Sequence, residues 1–157
     1  MTCEIKPAPM APADSPAVIA HINMMQAIIT RLAGQSASCK TWCLTLVGGF
    51  LGLAGATKTP AFFLLSVLPL VALGYIDSLY LAHERAYRDL FASVVGKVRK
   101  GEYTLADTYG AKAAPVGAAD LLGAFFSWAI APFYAGIGVC VVVAERIGLL
   151  TFLKTTG

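Results

Sequence analysis

Residues 41–82 read TWCLTLVGGFLGLAGATKTPAFFLLSVLPLVALGYIDSLYLA and carry two charges, Lys58 and Asp77. A helix crosses about 30 Å of hydrocarbon with roughly 20 apolar residues. The stretch is long enough for two crossings. Lys58-Thr59-Pro60 stands where the first must end and the second begin, with proline where a helix tolerates it, in the first turn. A transmembrane helical hairpin over residues 41–82 is therefore expected. Residues 113–144 carry one charge, Asp120. Within them Leu121 to Ala144 reads as a third transmembrane helix, kinked at its internal Pro132.

The whole composition agrees. Of 157 residues, 57% are apolar and 13% charged, against about 45–50% and about 25% in ordinary soluble domains. A soluble chain of this length could bury a core but would lack the charge to cover its surface. This excludes a free soluble enzyme. Four cysteines, Cys3, Cys39, Cys43 and Cys140, make no paired disulfide framework. The net charge of +3 does not by itself imply nucleic-acid binding.

The placement of the charges says more. Lys6, Arg31 and Lys40 precede the first span, and Arg85, Arg88, Lys97, Arg99, Lys100 and Lys112 lie between the second and third, nine of the twelve basic residues. Lys58, Arg146 and Lys154 fall on the other side. The positive-inside rule then puts the N-terminus in the cytoplasm and the C-terminus outside. Cys3, Cys39 and Cys43 would face a reducing compartment as free thiols.

Residues 1–15 are proline-rich, lack the apolar run of a signal peptide and read as a flexible tail. Ser15-Pro16 is a helix start. Val18, Ile22, Met25, Ile29 and Leu32 follow as a heptad seam, so residues 16–40 form a cytoplasmic amphipathic helix that continues into the first span, with Gly34 loosening the join. Residues 83–101 form a second cytoplasmic helix. Its apolar stripe is Tyr87, Leu90 or Phe91, Val94 and Val98, and Glu84 with Arg88 and Arg85 with Asp89 are favourable four-apart pairs. Lys97, Arg99 and Lys100 suit its last turn, and Gly101 its stop. The seam packs on this stripe of the same chain, on neighbouring subunits in a ring, or on both. Residues 102–120 form a cytoplasmic connector with a short capped helix over Thr104–Lys112, and residues 145–157 an external tail. The fold class is thus an all-α membrane protein with three transmembrane helices, the first two extending into a long cytoplasmic helical hairpin.

No catalytic constellation is present. There are two histidines, His21 and His83, and no CxxC pair, phosphate-binding loop, nucleophile elbow or zinc-protease helix. No enzyme activity, metal or cofactor is expected. Two features of the spans bear on function. Gly48, Gly52 and Gly55 form a small-residue stripe with a GxxxG spacing, which lets membrane helices approach closely, within the chain or between subunits. Ala131, Ala135, Gly136 and Gly138 do the same in the third span. The second feature is Asp77, because a carboxylate inside a span is costly and marks a functional position by default. It is a pore or gate candidate, one member of a cation-attracting ring at a channel mouth; the other reading is structural pairing, for instance with Lys40.

The stretch His21-Ile-Asn-Met-Met-Gln-Ala-Ile-Ile-Thr-Arg-Leu-Ala-Gly-Gln-Ser, then Lys40-Thr-Trp-Cys-Leu-Thr-Leu-Val, then Pro69, then Asp77-Ser-Leu-Tyr80-Leu81-Ala-His-Glu84-Arg85-Ala-Tyr-Arg88, resembles a family of small bacterial membrane proteins encoded beside a nucleotidyltransferase. The family is that of Hailong-type anti-phage defence effectors, and the likeness covers about residues 18–92. Leu32 and Gly34 stand where relatives often carry methionine and asparagine. The resemblance implies a homo-oligomeric ion channel acting in abortive infection. A single-stranded DNA oligomer made by the partner nucleotidyltransferase would hold it closed, and loss of that oligomer would open it. Arg31, Lys40, Arg85 and Arg88 are the oligonucleotide-binding candidates, since cations repeated by oligomeric symmetry could follow phosphates; taken singly, each also reads as a snorkelling or paired interfacial residue. The third span and the residues after Gly101 lie outside the likeness. A holin-like or pore-forming toxin without a ligand, and a structural membrane scaffold, are the alternatives.

Overall fold

Ser15 starts the first helix in the computed structural model. Its hydroxyl accepts the Val18 N–H at 3.4 Å and its carbonyl accepts the Ile19 N–H at 3.2 Å. Pro16 needs no donor there. The structure describes residues 15–104, 106–110 and 112–156, with the side chains of these except Tyr109 and residues 149–156. The proline-rich tail over residues 1–14, with Cys3 and Lys6, lies outside the described residues.

Helix α1 runs unbroken through Pro16–Thr57, passing Gly34 without interruption. It ends at Lys58, whose φ of 53° is left-handed and unusual for a side-chain-bearing residue. That turn lets helix α2 begin at Ala61, with Thr59 and Pro60 carbonyls accepting the Phe62 and Phe63 N–H groups. α2 spans Ala61–Lys100 and contains Pro69, which cannot donate to the turn before it. It stops where expected: Gly101 sits at φ 73°, and the Glu102 N–H reaches back to the Lys97 carbonyl at 3.0 Å. Left-handed glycine with that backward bond closes off the last carbonyls of the helix.

Two more helices follow, α3 over Ala118–Phe125 and α4 over Ala131–Thr156. Among the described residues there is no strand. The expected third span over residues 121–144 is corrected here. The helix breaks at Phe126–Ile130, so Leu121–Phe125 belong to a separate eight-residue helix. Pro132 makes no kink, because it stands in the first turn of α4. Residues 145–156, within the expected external tail, are helical and continue α4. The short capped helix expected over Thr104–Lys112 reduces to a single turn, Asp107–Tyr109.

The chain divides into two compact units. One comprises the described residues up to Leu32 with His83–Val116. It has an apolar core: Val18, Met25, Val94 and Tyr103 are buried, with Ile22, Leu90, Phe91 and Val98 packed against them. The heptad seam of α1 therefore meets the Leu90–Val98 stripe of α2 within one chain. The other unit comprises Ala33–Ala82 with the residues from Gly117 onward. Its core joins Cys43 and Val47 of α1 to Ile130, Tyr134 and Val141, with Leu70, Leu73 and Leu81 of α2 against them. Much of its surface is apolar, including Leu44, Leu64, Leu68, Val71 and Val139. A helix apolar all round belongs in a core or a membrane. Three helical segments, in α1, α2 and residues 131–148, are long and apolar enough to cross a membrane.

Gly74, not the Gly48–Gly55 stripe, permits close helix contact inside the chain. A Cβ at position 74 would stand 3.3 Å from Tyr134 Cδ1. The Tyr134 hydroxyl donates to the Leu73 carbonyl at 3.3 Å across the same contact. Around Gly48, Gly49, Gly52 and Gly55 a Cβ would meet nothing within 4 Å. Of the two packings open to Gly48, Gly52 and Gly55, within the chain or between subunits, the described residues show no intrachain contact at those positions.

Candidate functional site

Three polar side chains of the apolar unit, Ser36, Lys40 and Asp77, converge on one point. Lys40 and Ser36 lie one turn apart on α1, facing Asp77 of α2. Lys40 Nζ donates to Asp77 Oδ2 at 2.6 Å and to Ser36 Oγ at 3.0 Å. The Ser36 hydroxyl donates to the other carboxylate oxygen, Asp77 Oδ1. Asp77 is fully buried, while the Lys40 side chain keeps 23% of its surface. A charge taken out of water is tolerable only when paired and hydrogen-bonded, and here both carboxylate oxygens are engaged. Cys39 and Cys43, on the same stretch of α1, are buried free thiols.

Within the chain, Asp77 is balanced by Lys40 and none of its surface is exposed. Lys40 is likewise paired with a carboxylate, with part of its side chain still exposed. Of the two readings of Asp77, the structure has the pairing one.

The other basic candidates belong to the charged unit. Arg31 and Arg85 are exposed. Arg88 pairs with Glu84 at 2.6 Å, its side chain 62% exposed and that of Glu84 nearly buried. This is the four-apart pair read from sequence. It leaves much of the guanidinium accessible, since one carboxylate occupies only part of its five-donor fork.

A second polar cluster lies inside this unit and was not legible beforehand. His21 Nδ1 and the Tyr103 hydroxyl are 2.7 Å apart, and that hydroxyl donates to Thr108 Oγ1 at 3.3 Å. His21 Nε2 is buried and has no hydrogen-bond partner among the described residues. Tyr103 follows the Gly101 stop in a segment with no periodicity, so nothing local announced it. The segment is clipped to α2 by Lys97, whose ammonium meets Asp107 Oδ1 at 2.7 Å. Asp107 Oδ2 also accepts the Thr104 N–H and hydroxyl. The Lys97 hydrogen bond, aided by those from Thr104, holds the Asp107 carboxyl down at about 2.

Among the described residues, no three His, Cys, Asp or Glu side chains group as a metal site would require. No family model, no curated protein and no solved structure matches the chain.

Proposed function

We propose that the protein is the subunit of a homo-oligomeric membrane channel, an anti-phage effector held closed by a single-stranded DNA oligomer that a partner nucleotidyltransferase supplies. The observation that carries this reading is the division of surface chemistry along one chain. The unit built on Ala33–Ala82 and α4 turns apolar side chains outward. The unit built on the ends of α1 and α2 buries an apolar cluster of Val18, Met25, Val94 and Tyr103 and exposes Arg31, Arg85, Arg88, Arg99 and Lys100. A channel gated by a soluble ligand needs both: a lipid-facing assembly and a water-facing receptor coupled to it. Here α1 and α2 each belong to both units, so a ligand-driven shift in one has a continuous helix through which to act.

In this reading the receptor unit faces the cytoplasm, in keeping with the positive-inside distribution. Arg31, Arg85 and Arg88 supply the cations for phosphate. One or two contacts per subunit suffice when symmetry repeats them, since each neutralised phosphate releases counterion. The outward glycine stripe Gly48, Gly52 and Gly55 supports helix contact between subunits.

The test is oligonucleotide binding by the purified protein, followed by anisotropy of a fluorescent oligodeoxynucleotide. Arg31→Glu combined with Arg85→Glu should weaken binding by at least about tenfold and flatten its salt dependence, because two phosphate contacts per subunit become repulsive. Unchanged affinity would remove these residues from the site. No binding by the unaltered protein would leave a ligand-free pore or a scaffold.

A further inference from the structure

We infer that α3 and the corner after it, residues 118–130, lie along the headgroup layer of the bilayer as an aromatic anchor and do not enter the span. The partner is the lipid interface itself. Four observations converge on it.

First, the exposed side chains here are bulky and apolar. Trp128 is 91% exposed, Phe126 74% and Leu122 59%. Phe125 is exposed beside Phe126, the two rings edge to face with centroids 5.3 Å apart. Such a cluster would be unfavourable in water. Second, a charge opens the same helix. The Asp120 carboxylate is exposed and accepts the Gly117 N–H at 2.9 Å, fixing the start of α3. A carboxylate facing mid-bilayer hydrocarbon would be strongly unfavourable.

Third, the backbone between α3 and α4 leaves the helical ladder. The Ser127 N–H turns to the Ala124 carbonyl, and the Ser127 carbonyl takes both the Ile130 and Ala131 N–H groups. Irregular backbone facing hydrocarbon is not tolerated, because lipid tails satisfy no N–H or C=O group. The corner therefore needs polar surroundings while its side chains need apolar ones. The headgroup boundary supplies both, and tryptophan concentrates there because its ring is apolar and its N–H polar. Fourth, the patch is continuous in sequence with a lipid-facing helix. α4 begins at Ala131 and exposes Val139, Val142 and Val143.

The chain has two tryptophans, Trp42 and Trp128. Trp42→Phe leaves Trp128 as the only indole, and Trp42 is itself exposed, so the change is mild. The variant is placed in phosphatidylcholine–phosphatidylglycerol vesicles whose acyl chains carry bromine either near the headgroup or near the chain end. Trp128 fluorescence should be quenched at least about twofold more by the shallow bromine than by the deep one. Stronger quenching by the deep bromine would put the corner inside the span. Quenching by aqueous acrylamide alone would put it in water. Quenching by neither would put it under protein, for example a second copy. Any of these three overturns the inference. If Trp42→Phe folds poorly, the difference between the unaltered protein and Trp128→Phe reads the same depth.

Discussion

Lys40→Met should destabilise the protein more than Asp77→Asn, although both break the same ion pair. The reason is the asymmetry of exposure. Removing the lysine strands a carboxylate that has no exposed surface, its charge no longer balanced while the Ser36 hydroxyl still donates to it. Losing one partner of a buried pair costs about 3–5 kcal/mol, and Lys40→Met should approach that range. Asp77→Asn instead leaves an ammonium with part of its side chain exposed on a four-carbon stem. It can swing toward the interface and keep its charge solvated, so the loss should be about half as large or less. Lys40→Met with Asp77→Leu should recover most of the stability, because replacing both charges by apolar groups removes the desolvation penalty together with the attraction. Thermal unfolding of the three variants in detergent gives the order. Equal losses for the two single variants would show that the exposure difference has no energetic weight.

The glycines should separate contact within the chain from contact between chains. Gly74→Leu forces a side chain into the Tyr134 ring and should lower stability by about 1–3 kcal/mol, the usual cost of overpacking. Gly52→Leu meets nothing within the chain, so the subunit should fold as before. In an oligomer built on that face of α1, the same leucine would hold neighbouring backbones apart. Light scattering in detergent should then show Gly52→Leu reduced to smaller species while Gly74→Leu keeps its subunit number. An unchanged oligomer in Gly52→Leu would exclude the glycine stripe from the subunit contact.

How much of this could be read from the sequence depended on whether the signal was local. The two long helices were legible because Thr41–Ala82 carries only two charges, Lys58 and Asp77, and because Ser15-Pro16 and Gly101 punctuate the ends. The inward packing of the charged unit was legible in part, since Val18, Ile22 and Met25 keep a heptad spacing that Leu90, Val94 and Val98 answer. The third span was misplaced because apolar content alone does not separate a residue inside the bilayer from one at its boundary. Phe125, Phe126 and Trp128 count as apolar in either place, and no charge marked the break after Phe125. The ion pair was foreseen as one of two readings of Asp77, but Lys40 and Asp77 are 37 residues apart, and only the packing of α1 on α2 chooses between pairing and a pore. Tyr103 was invisible for the same reason: its partner His21 lies 82 residues away. The glycine spacing left the occupant of its helix face open, because GxxxG does not encode which helix approaches, and within the chain a Cβ at Gly48, Gly52 or Gly55 meets nothing within 4 Å.

The central claim is that this chain forms a channel that a DNA oligomer closes. Current through a planar lipid bilayer containing only the purified protein tests it most directly. The expected record shows discrete conductance steps without ligand, abolished when single-stranded DNA oligomer is added on the receptor side and restored by a nuclease. A bilayer that stays electrically silent at protein densities confirmed by labelling, or steps that the oligomer leaves untouched, would contradict it.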